Sequence, residues 1–256
     1  MSSDHLDHTC LDIGDHPRLA ATLGDTPETV IAVHLLHRGF ARAYVAGRPD
    51  RFDAAIIRNL AFNRDELTGF GAALSMWELL RERHGWSSVE VDPSIAFQLA
   101  ELLELASGRP VSFLDDIYHV LRHPVVPARI ETVRLLSAAD SGLLERAPPE
   151  LRGEGWGSSS ALLREGIAAA AIFDREIVAL AHTTARAGQY ADLGVATLPA
   201  WRNQGLASAT AALVASEVQA AGQTPVWSTG ATNLASLRVA RKLGFVEVSR
   251  RTYLIL

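Results

Sequence analysis

The chain has 256 residues, enough for one large domain or two small ones. Hydrophobic residues make up 48% and charged residues 21%, a composition that excludes general disorder. The formal net charge of −5 argues against a partner with a phosphate backbone, because such proteins normally present a basic face. We therefore expect no nucleic-acid partner.

Cysteine usage and hydropathy indicate the cellular compartment in which we expect the protein. Cys10 is the single cysteine, which excludes an internal disulfide and a multi-cysteine zinc site and fits a reduced, cytoplasmic setting. The acidic, histidine-rich N-terminus lacks the basic patch and apolar run of a signal peptide. The longest apolar stretch, around 166–173, is far shorter than the roughly 20 residues that span a bilayer. These features predict a soluble cytoplasmic protein with no membrane partner.

The N-terminal half begins with a weakly patterned segment. Residues 1–27 are predicted to be a flexible, solvated arm, with a metal site among its histidines and aspartates as the less favoured interpretation. From residue 28 the pattern becomes regular. Strands are predicted at 29–37, 41–46, 53–59, 88–91 and 111–120, and helices at 72–83 and 94–106.

Two prolines in 123–129 break regular structure and indicate a linker. The predicted domains are therefore 28–122 and 130–256. In the second domain, strands are predicted at 131–136, 167–173, 176–184, 190–197, 225–229 and 246–256, and helices from about 138 and at 159–164, 208–221 and 234–243. A glycine-rich loop occupies 153–157.

The two halves share an order of strands, a glycine-bearing loop, a helix, a short strand, a helix, a glycine and a strand. Three pairs of small residues are each 136 positions apart: Gly69 and Gly205, Gly71 and Ala207, and Gly108 and Gly244. One shared offset favours an internal duplication in an α/β chain.

The segment most informative about function is 193–207, LGVATLPAWRNQGLA. A strand ends at Thr197, Pro199 turns the chain, and residues 202–207 open a helix. The first turn of a helix has unpaired N–H groups and partial positive charge, which suit a diphosphate, and Arg202 adds a charge-assisted contact. The physical interpretation is a pyrophosphate-binding loop, and the alternative is a plain strand–loop–helix connection.

This segment resembles a known motif. Arg202-x-x-Gly205-x-Ala207 is similar to the acyl-CoA motif of the GNAT superfamily of N-acetyltransferases, and the segment from Asn233 to Leu243-Gly244-Phe245 resembles the second signature of that family. The resemblance covers about residues 130–256. It implies a mixed, mostly antiparallel sheet flanked by helices and splayed where the cofactor enters, with acetyl-CoA as co-substrate.

The resemblance also implies roles for particular residues, and it implies no metal. The strand end would hold the pantetheine arm and the thioester through the backbone of Val195, Ala196 and Thr197. The loop and first helical turn would bind the pyrophosphate through Arg202, Asn203, Gln204, Gly205, Leu206, Ala207 and Ser208. Asn233 would contact the cofactor arm.

Proton transfer has several candidates. Many family members carry a tyrosine that acts as the general acid, and this chain has Ala240 at that position. Ser236 is therefore the candidate proton donor. The alternative is that Ser236 is an ordinary serine on the helix surface. Asp192 is the candidate base, acting through water, and His182 follows because its ordinary pKa suits neutral pH. The alternative for both is a polar strand side chain that faces solvent. Trp201 and Trp227 are candidates for a substrate pocket or for buried packing.

If the duplication is real, residues 66–71 form a damaged copy of the binding loop, in which Glu66 repels phosphate. The N-terminal half then resembles a degenerate GNAT-like domain that walls the substrate cleft or mediates a homodimer. The leading hypothesis is an acetyl-CoA-dependent N-acetyltransferase acting on a small-molecule amine, an amino acid or a peptide N-terminus. The alternatives are a non-catalytic acyl-CoA binding or regulatory module, favoured by Ala240, and an inert scaffold, disfavoured by Arg202.

Overall fold

The computed structural model describes residues 10–61 and 65–256. By chain contacts they divide into two compact units. The first contains the described part of Met1–Gly24, with Ala32–Asp116 and Arg250–Leu256, and the second contains Asp25–Ile31 and Ile117–Ser249. The predicted domain limits, 28–122 and 130–256, stay predictions.

The N-terminal half contains four helices and five strands among its described residues. In chain order they are α1 (His16–Leu23), α2 (Val30–Arg38), β1 (Ala41–Arg48), β2 (Arg51–Asn59), β3 (Glu66–Gly71), α3 (Ala73–Leu80), β4 (Ser88–Val91), α4 (Pro93–Ser107) and β5 (Ser112–Val120). Asp92 caps α4 by accepting a hydrogen bond from the Ser94 N–H at 2.9 Å.

The C-terminal half continues the numbering. Its elements are β6 (Val133–Leu135), α5 (Ser141–Arg146), α6 (Ser159–Glu165), β7 (Ala168–Phe173), β8 (Glu176–Ala187), β9 (Tyr190–Thr197), α7 (Leu206–Ala220), β10 (Thr224–Gly230), α8 (Leu234–Leu243) and β11 (Val246–Ile255). Short 3₁₀ helices lie at Ile13–Asp15, Ala138–Asp140, Pro149–Leu151 and Pro199–Trp201. The division between the units falls inside β5 and inside β11, so each of these strands contributes residues to both units.

Each unit contains a mixed sheet. The strand order is β1-β2-β3-β4-β11 in the first unit and β5-β10-β9-β8-β7-β6 in the second. The pairs β1–β2, β2–β3, β4–β11, β6–β7, β7–β8 and β8–β9 are antiparallel, whereas β3–β4 and β9–β10 are parallel. The predicted fold class, a mostly antiparallel mixed sheet with flanking helices, is confirmed.

Both parallel pairs are joined by a helix, as a parallel connection requires. In the first unit α3 and α4 contribute Met76, Leu79 and Leu99 to a core with Val89 and Leu254 of the sheet. In the second unit α7 packs on the sheet through side chains of its buried face, among them Ala211, Val214, Ala215 and Val218. Apolar burial on these faces sets the position of each helix against its strands.

Two predictions about the N-terminal segment are wrong. Residues 30–38 form the helix α2, not a strand. This apolar run is buried almost throughout, so it has no alternation by which a strand could be told from a helix. The predicted solvated arm contains α1 in its described part, and Leu19 is fully buried there. His5, His8 and the neighbouring aspartates Asp4 and Asp7 lie outside the described residues.

The predicted damaged binding loop at 66–71 is also wrong, because these residues form β3 and only Ala72 separates them from α3. A Cβ atom on Gly69 would lie 2.5 Å from the Met76 sulfur, and one on Gly71 would overlap the Asp53 carbonyl oxygen. These glycines allow close packing of protein on protein. Gly69 and Gly205, although 136 positions apart, are not structurally equivalent. Gly108 and Gly244 are equivalent, because each ends a helix, α4 and α8, in the same way.

Residues 10–61 and 65–256 lack two kinds of feature. No helix there is both long enough and apolar enough to span a bilayer. No group of three or more His, Cys, Asp or Glu side chains in those ranges is arranged to hold a metal ion.

Candidate active site

The central feature of the second unit is the point at which β9 and β10 stop pairing. Their parallel register aligns Tyr190 with Thr224, Ala191 with Pro225, and Asp192 with Val226. The described pairing ends there, while β9 stays paired with β8 as far as Thr197 opposite Ala179. The last residues of β9 therefore have β8 along one edge and a gap along the other, as the predicted splay requires.

The end of β9 carries a polar atom without a partner. The Thr197 hydroxyl is buried and has no hydrogen-bond partner in the part of the chain that the structure describes. Val195, Ala196 and Thr197 are all half-buried. A buried hydroxyl without a partner has a free-energy cost that a bound ligand group can remove. This strand end fits the polar arm of a thioester cofactor.

The loop from β9 to α7 is shaped by two residues in the left-handed region. Asn203 has φ 63° and Gly205 has φ 80°. Gly205 is the N-cap of α7 and provides no side-chain cap, so the first-turn N–H groups of Leu206, Ala207 and Ser208 have no cap bond. A Cβ atom on Gly205 would meet nothing within 4 Å. The uncapped helix start and the open approach to it fit a diphosphate.

Arg202 connects this loop to the strand. Its Nε–H donates to the Thr197 carbonyl at 3.3 Å, a bond that does not use the two Nη groups of the guanidinium. Arg202, Asn203 and Gln204 are exposed, Ala207 and Ser208 are half-buried, and the Leu206 side chain is buried in the core. Leu206 can therefore offer a ligand only its backbone. The predicted pyrophosphate-binding residues lie together around one helix start.

Asn233 lies at the start of α8, where its side-chain oxygen accepts a hydrogen bond from the Ser236 N–H at 3.1 Å. Its amide oxygen thus caps the helix, a role that sequence analysis did not assign to it. The predicted contact to the cofactor arm stays a prediction, for which the amide NH₂ group of Asn233 is the available donor.

Ser236 has a specific partner that orients its hydroxyl. The Trp227 indole Nε1–H donates to Ser236 Oγ at 2.9 Å. An indole nitrogen donates only, so Ser236 must accept in this bond and its own hydrogen must point elsewhere. Trp227 follows Val226 in β10, at the first position beyond the pairing with β9. The Ser236 hydroxyl is thus oriented by a side chain of β10 that lies next to the gap between β9 and β10.

At the position where many family members carry a tyrosine, this chain has an alanine that belongs to the hydrophobic core. Ala240 is fully buried and belongs to the same core cluster as Trp227 and Phe245. The rings of Trp227 and Phe245 pack edge to face with their centroids 5.4 Å apart. The indole and the serine hydroxyl that it holds therefore occupy the region next to Ala240.

Asp192 is 3% exposed and lies in the last aligned pair before the strands part. Thr184 donates its hydroxyl hydrogen to one carboxylate oxygen. Ser228 donates to the other at 3.1 Å. Sequence analysis missed both hydroxyls. Thr184 lies in a register shift of β8 between Thr183 and Ala185, and no residue pattern indicates this shift.

His182 is buried on the same hairpin, opposite Gly194. Its Nε2 accepts a hydrogen bond from the Glu154 N–H at 2.9 Å, which places the ring proton on Nδ1. Burial lowers the pKa of His182 to about 4. The imidazole is neutral at pH 7, and its basic nitrogen is used by the protein.

The glycine-rich loop Gly153–Gly157 lies against β8. The Trp156 Nε1–H donates to the Thr183 carbonyl at 2.6 Å, and a Cβ atom on Gly155 would overlap the Thr184 carbonyl oxygen. The loop therefore covers the part of β8 that supplies His182 and Thr184. Trp201, a candidate for a substrate pocket, instead packs on Phe173 with ring centroids 4.2 Å apart.

In this unit one helix joins two parallel strands, and the strands separate before the uncapped start of that helix. These features define the class of protein as an α/β protein with the splayed sheet that the GNAT resemblance implies. Residues 135–254 match the family model for GNAT acetyltransferase. The C-terminal region of the chain is therefore similar to the GNAT acetyltransferase family. No curated protein matches the sequence.

Solved structures extend the similarity of fold to nearly the whole chain. A GCN5-related N-acetyltransferase-like protein from Streptococcus suis is 20% identical with a TM-score of 0.69, covering 94% of this chain and 98% of its own. A GCN5-related N-acetyltransferase from Kribbella flavida is 17% identical with a TM-score of 0.61, covering 94% and 95%. A tandem GNAT protein from the clavulanic acid biosynthesis pathway is 16% identical with a TM-score of 0.58, covering 98% of each chain. The fold is thus similar to a tandem GNAT architecture.

Proposed function

We propose that the C-terminal GNAT-like domain transfers the acetyl group of acetyl-CoA to a primary amine. The observation that carries this proposal is the end of β9–β10 pairing at Asp192, ahead of the uncapped start of α7. Acetyl-CoA, when bound, supplies an activated acetyl group. The Thr197 strand end would hold its arm, and the Gly205 loop with Arg202 would hold its diphosphate.

The protein's contribution to the chemistry is the control of two protons. An amine attacks only after it has lost a proton, and Asp192 is the proposed acceptor, acting through water. The hydroxyls of Thr184 and Ser228 fix its carboxylate at the parting of the strands. His182 is a weaker candidate base, because its Nε2 already accepts the Glu154 N–H and its pKa is lowered to about 4.

Ser236 is the proposed proton donor to the departing thiolate. The Trp227 indole N–H fills one acceptor site of its oxygen at 2.9 Å, so the hydroxyl hydrogen is left for donation to another group. A thiolate leaves readily compared with an alkoxide. We therefore assign Ser236 an assisting role.

A second candidate function is a non-catalytic acyl-CoA binding module. It is favoured by Ala240, a fully buried alanine at the position of the usual acid. Turnover distinguishes the two functions. A transferase releases free thiol from acetyl-CoA when an amine is added, whereas a binding module retains acetyl-CoA without release.

The test combines titration calorimetry with a thiol-release assay. Arg202→Glu should abolish acetyl-CoA binding, because it places a carboxylate at the diphosphate loop. Arg164→Glu is the matched control, since Arg164 is an exposed arginine of α6 outside the loop and should leave binding unchanged. A wild-type protein that binds acetyl-CoA but releases no thiol with monoamines, diamines, amino-acid amides or short peptides would support the binding module instead.

A further inference from the structure

Helix α4 of the first unit carries an exposed apolar surface. Phe97 is 78% exposed, and its ring packs on that of Phe113 in β5 with the centroids 5.2 Å apart. Phe113 is exposed as well, and Leu105, two turns further along α4 than Phe97, is 87% exposed. Exposed apolar groups that contact one another mark a surface that binds another molecule.

The same side of α4 carries negative charge. Residues 97, 101, 104 and 105 share one side of the helix, because their spacing follows the helical period. Glu101 and Glu104 lie between the two apolar side chains and are exposed. One carboxylate oxygen of Glu104 accepts the Val111 N–H at 2.8 Å, whereas Glu101 has no hydrogen-bond or ion-pair partner among the described residues. We call Phe97, Glu101, Glu104 and Leu105 the acidic stripe.

Helix α8 of the second unit carries a stripe with the same spacing and the opposite charge. It consists of Leu234, Arg238, Arg241 and Lys242, which are all exposed, and we call it the basic stripe. Leu234 is 62% exposed. The Arg238 Nε–H donates to the Leu234 carbonyl at 3.2 Å, a bond that does not use the two Nη groups of the guanidinium. Each stripe therefore begins with an apolar side chain and continues with charged ones.

The two stripes are complementary position by position. If α4 of one copy lies beside α8 of another in the same direction, Phe97 faces Leu234. One turn further on, Glu101 faces Arg238, and the second glutamate then faces the second arginine. Opposite charges at matched spacing fix the register of an interface, and an exposed aromatic ring at one end provides its apolar anchor. The chain thus carries both halves of one contact.

We propose that the chain forms a two-fold homodimer in which the acidic stripe of each copy binds the basic stripe of the other. In a two-fold dimer, a contact between two different surfaces is made twice, so both stripes of both copies are covered. The partner is a second copy of this chain, because its own α8 supplies the charges and the spacing that α4 requires. This assembly does not depend on the proposed transferase activity.

Sedimentation equilibrium of the full chain between about 1 and about 100 µM measures the dimer Kd. Glu101→Lys and Arg238→Glu should each raise this Kd about 30-fold, because each variant places like charges opposite one another at both contacts. Phe97→Ser should raise it about 100-fold by removing the apolar anchor. The matched controls, Glu150→Lys and Arg164→Glu, reverse exposed charges outside both stripes and should leave the Kd unchanged.

A mixture of the two charge-reversal variants tests the pairing itself. At the Glu101–Arg238 position, the Glu101→Lys chain is positive on both stripes and the Arg238→Glu chain is negative on both. Each variant therefore repels its own copies and complements the other variant at both contacts. An equimolar mixture should form heterodimers with a Kd within about threefold of the wild-type value. Recovery on mixing would also show that both variants are folded.

Several results would overturn this assignment. A wild-type chain that stays monomeric up to about 100 µM contradicts the dimer. A dimer whose Kd is unchanged in Glu101→Lys and in Arg238→Glu uses another surface. A mixture of these two variants that stays monomeric contradicts the pairing of the stripes, and assemblies larger than two chains contradict the two-fold arrangement.

Discussion

The two parallel strand pairs of this chain have the same pattern and use it differently. In β3–β4 the last aligned pair is Thr68 with Glu90, and in β9–β10 it is Asp192 with Val226. Each last pair contains one buried carboxylate. Glu90 forms an ion pair with Arg251 at 3.3 Å, with both side chains nearly fully buried. Asp192 accepts hydrogen bonds from the hydroxyls of Thr184 and Ser228.

The connections to the following helix differ in the same way. One residue, Ala72, lies between β3 and α3, whereas eight residues, 198–205, lie between β9 and α7. Gly69 and Gly71, in β3 just before the first connection, face protein atoms, and Gly205 of the second connection faces open space. The comparison teaches that similar strand–helix–strand units can differ in how they use their polar and glycine positions: one uses them for internal packing, and the proposed function assigns those of the other to a ligand.

The largest expected effect distinguishes the two kinds of glycine. Gly71→Ala should lower the free energy of unfolding by about 5 kcal/mol, because a Cβ there overlaps the Asp53 carbonyl at a φ of 102°. Gly205→Ala should cost about 1 kcal/mol of stability and raise the acetyl-CoA Kd about tenfold. Urea unfolding and calorimetry measure both. Equal losses of stability would show that Gly205 is a packing glycine.

The second effect separates the two buried carboxylates. Glu90→Gln should lower the free energy of unfolding by about 4 kcal/mol, because Arg251 loses its charge partner while buried, and acetyl-CoA Kd should not change. Asp192→Asn should instead lower kcat by about 100-fold. Steady-state kinetics and unfolding curves for both variants provide the measurement. A kcat unaffected by Asp192→Asn would remove the assigned base.

A third effect depends on pH and belongs to His182 of the second unit. The pKa of His182 is lowered to about 4 in the folded protein, so between that value and its ordinary 6.5 the unfolded chain binds more protons. The neutral imidazole therefore contributes about 3 kcal/mol of stability that is fully present above pH 6.5 and is lost as the pH falls toward 4. Unfolding curves of wild type and His182→Gln between pH 4 and 7 test this. Parallel pH profiles would contradict it.

The smallest effect concerns the orientation of Ser236. Trp227→Phe removes the indole N–H while keeping an aromatic ring in the core, and it should lower kcat about tenfold, or about 1.4 kcal/mol. Ser236→Ala should have a similar effect on kcat. The double variant should lose no more activity than either single variant, because both changes act on the same proton donor, the Ser236 hydroxyl. A double variant in which the two losses multiply would show that Trp227 acts independently of Ser236.

The sequence predicted the features that depend on local chemistry. The Arg202–Ala207 helix start, the β9 strand and the capped α4 follow from glycine, proline and capping residues whose effects extend over a few positions. The strand β3 was missed because Gly69 and Gly71 are read as loop residues, and only Met76 and Asp53, distant along the chain, explain them.

Within the site, the contacts that sequence analysis missed share a cause. Thr184 reaches Asp192 across a register shift, and Trp227 reaches Ser236 from another element. Such contacts depend on strand register and helix packing, which leave no signature in the spacing of residues. The division of β5 and of β11 between the two units likewise has no marker in the sequence.

The central claim is that the β9–α7–β10 unit binds acetyl-CoA and the β3–α3–β4 unit does not. Titration calorimetry of the full chain with acetyl-CoA tests it most directly, with Arg202→Glu measured in parallel. We predict one equivalent bound per chain in the wild type and none in the variant. Two equivalents, or binding that persists in Arg202→Glu, would contradict the claim.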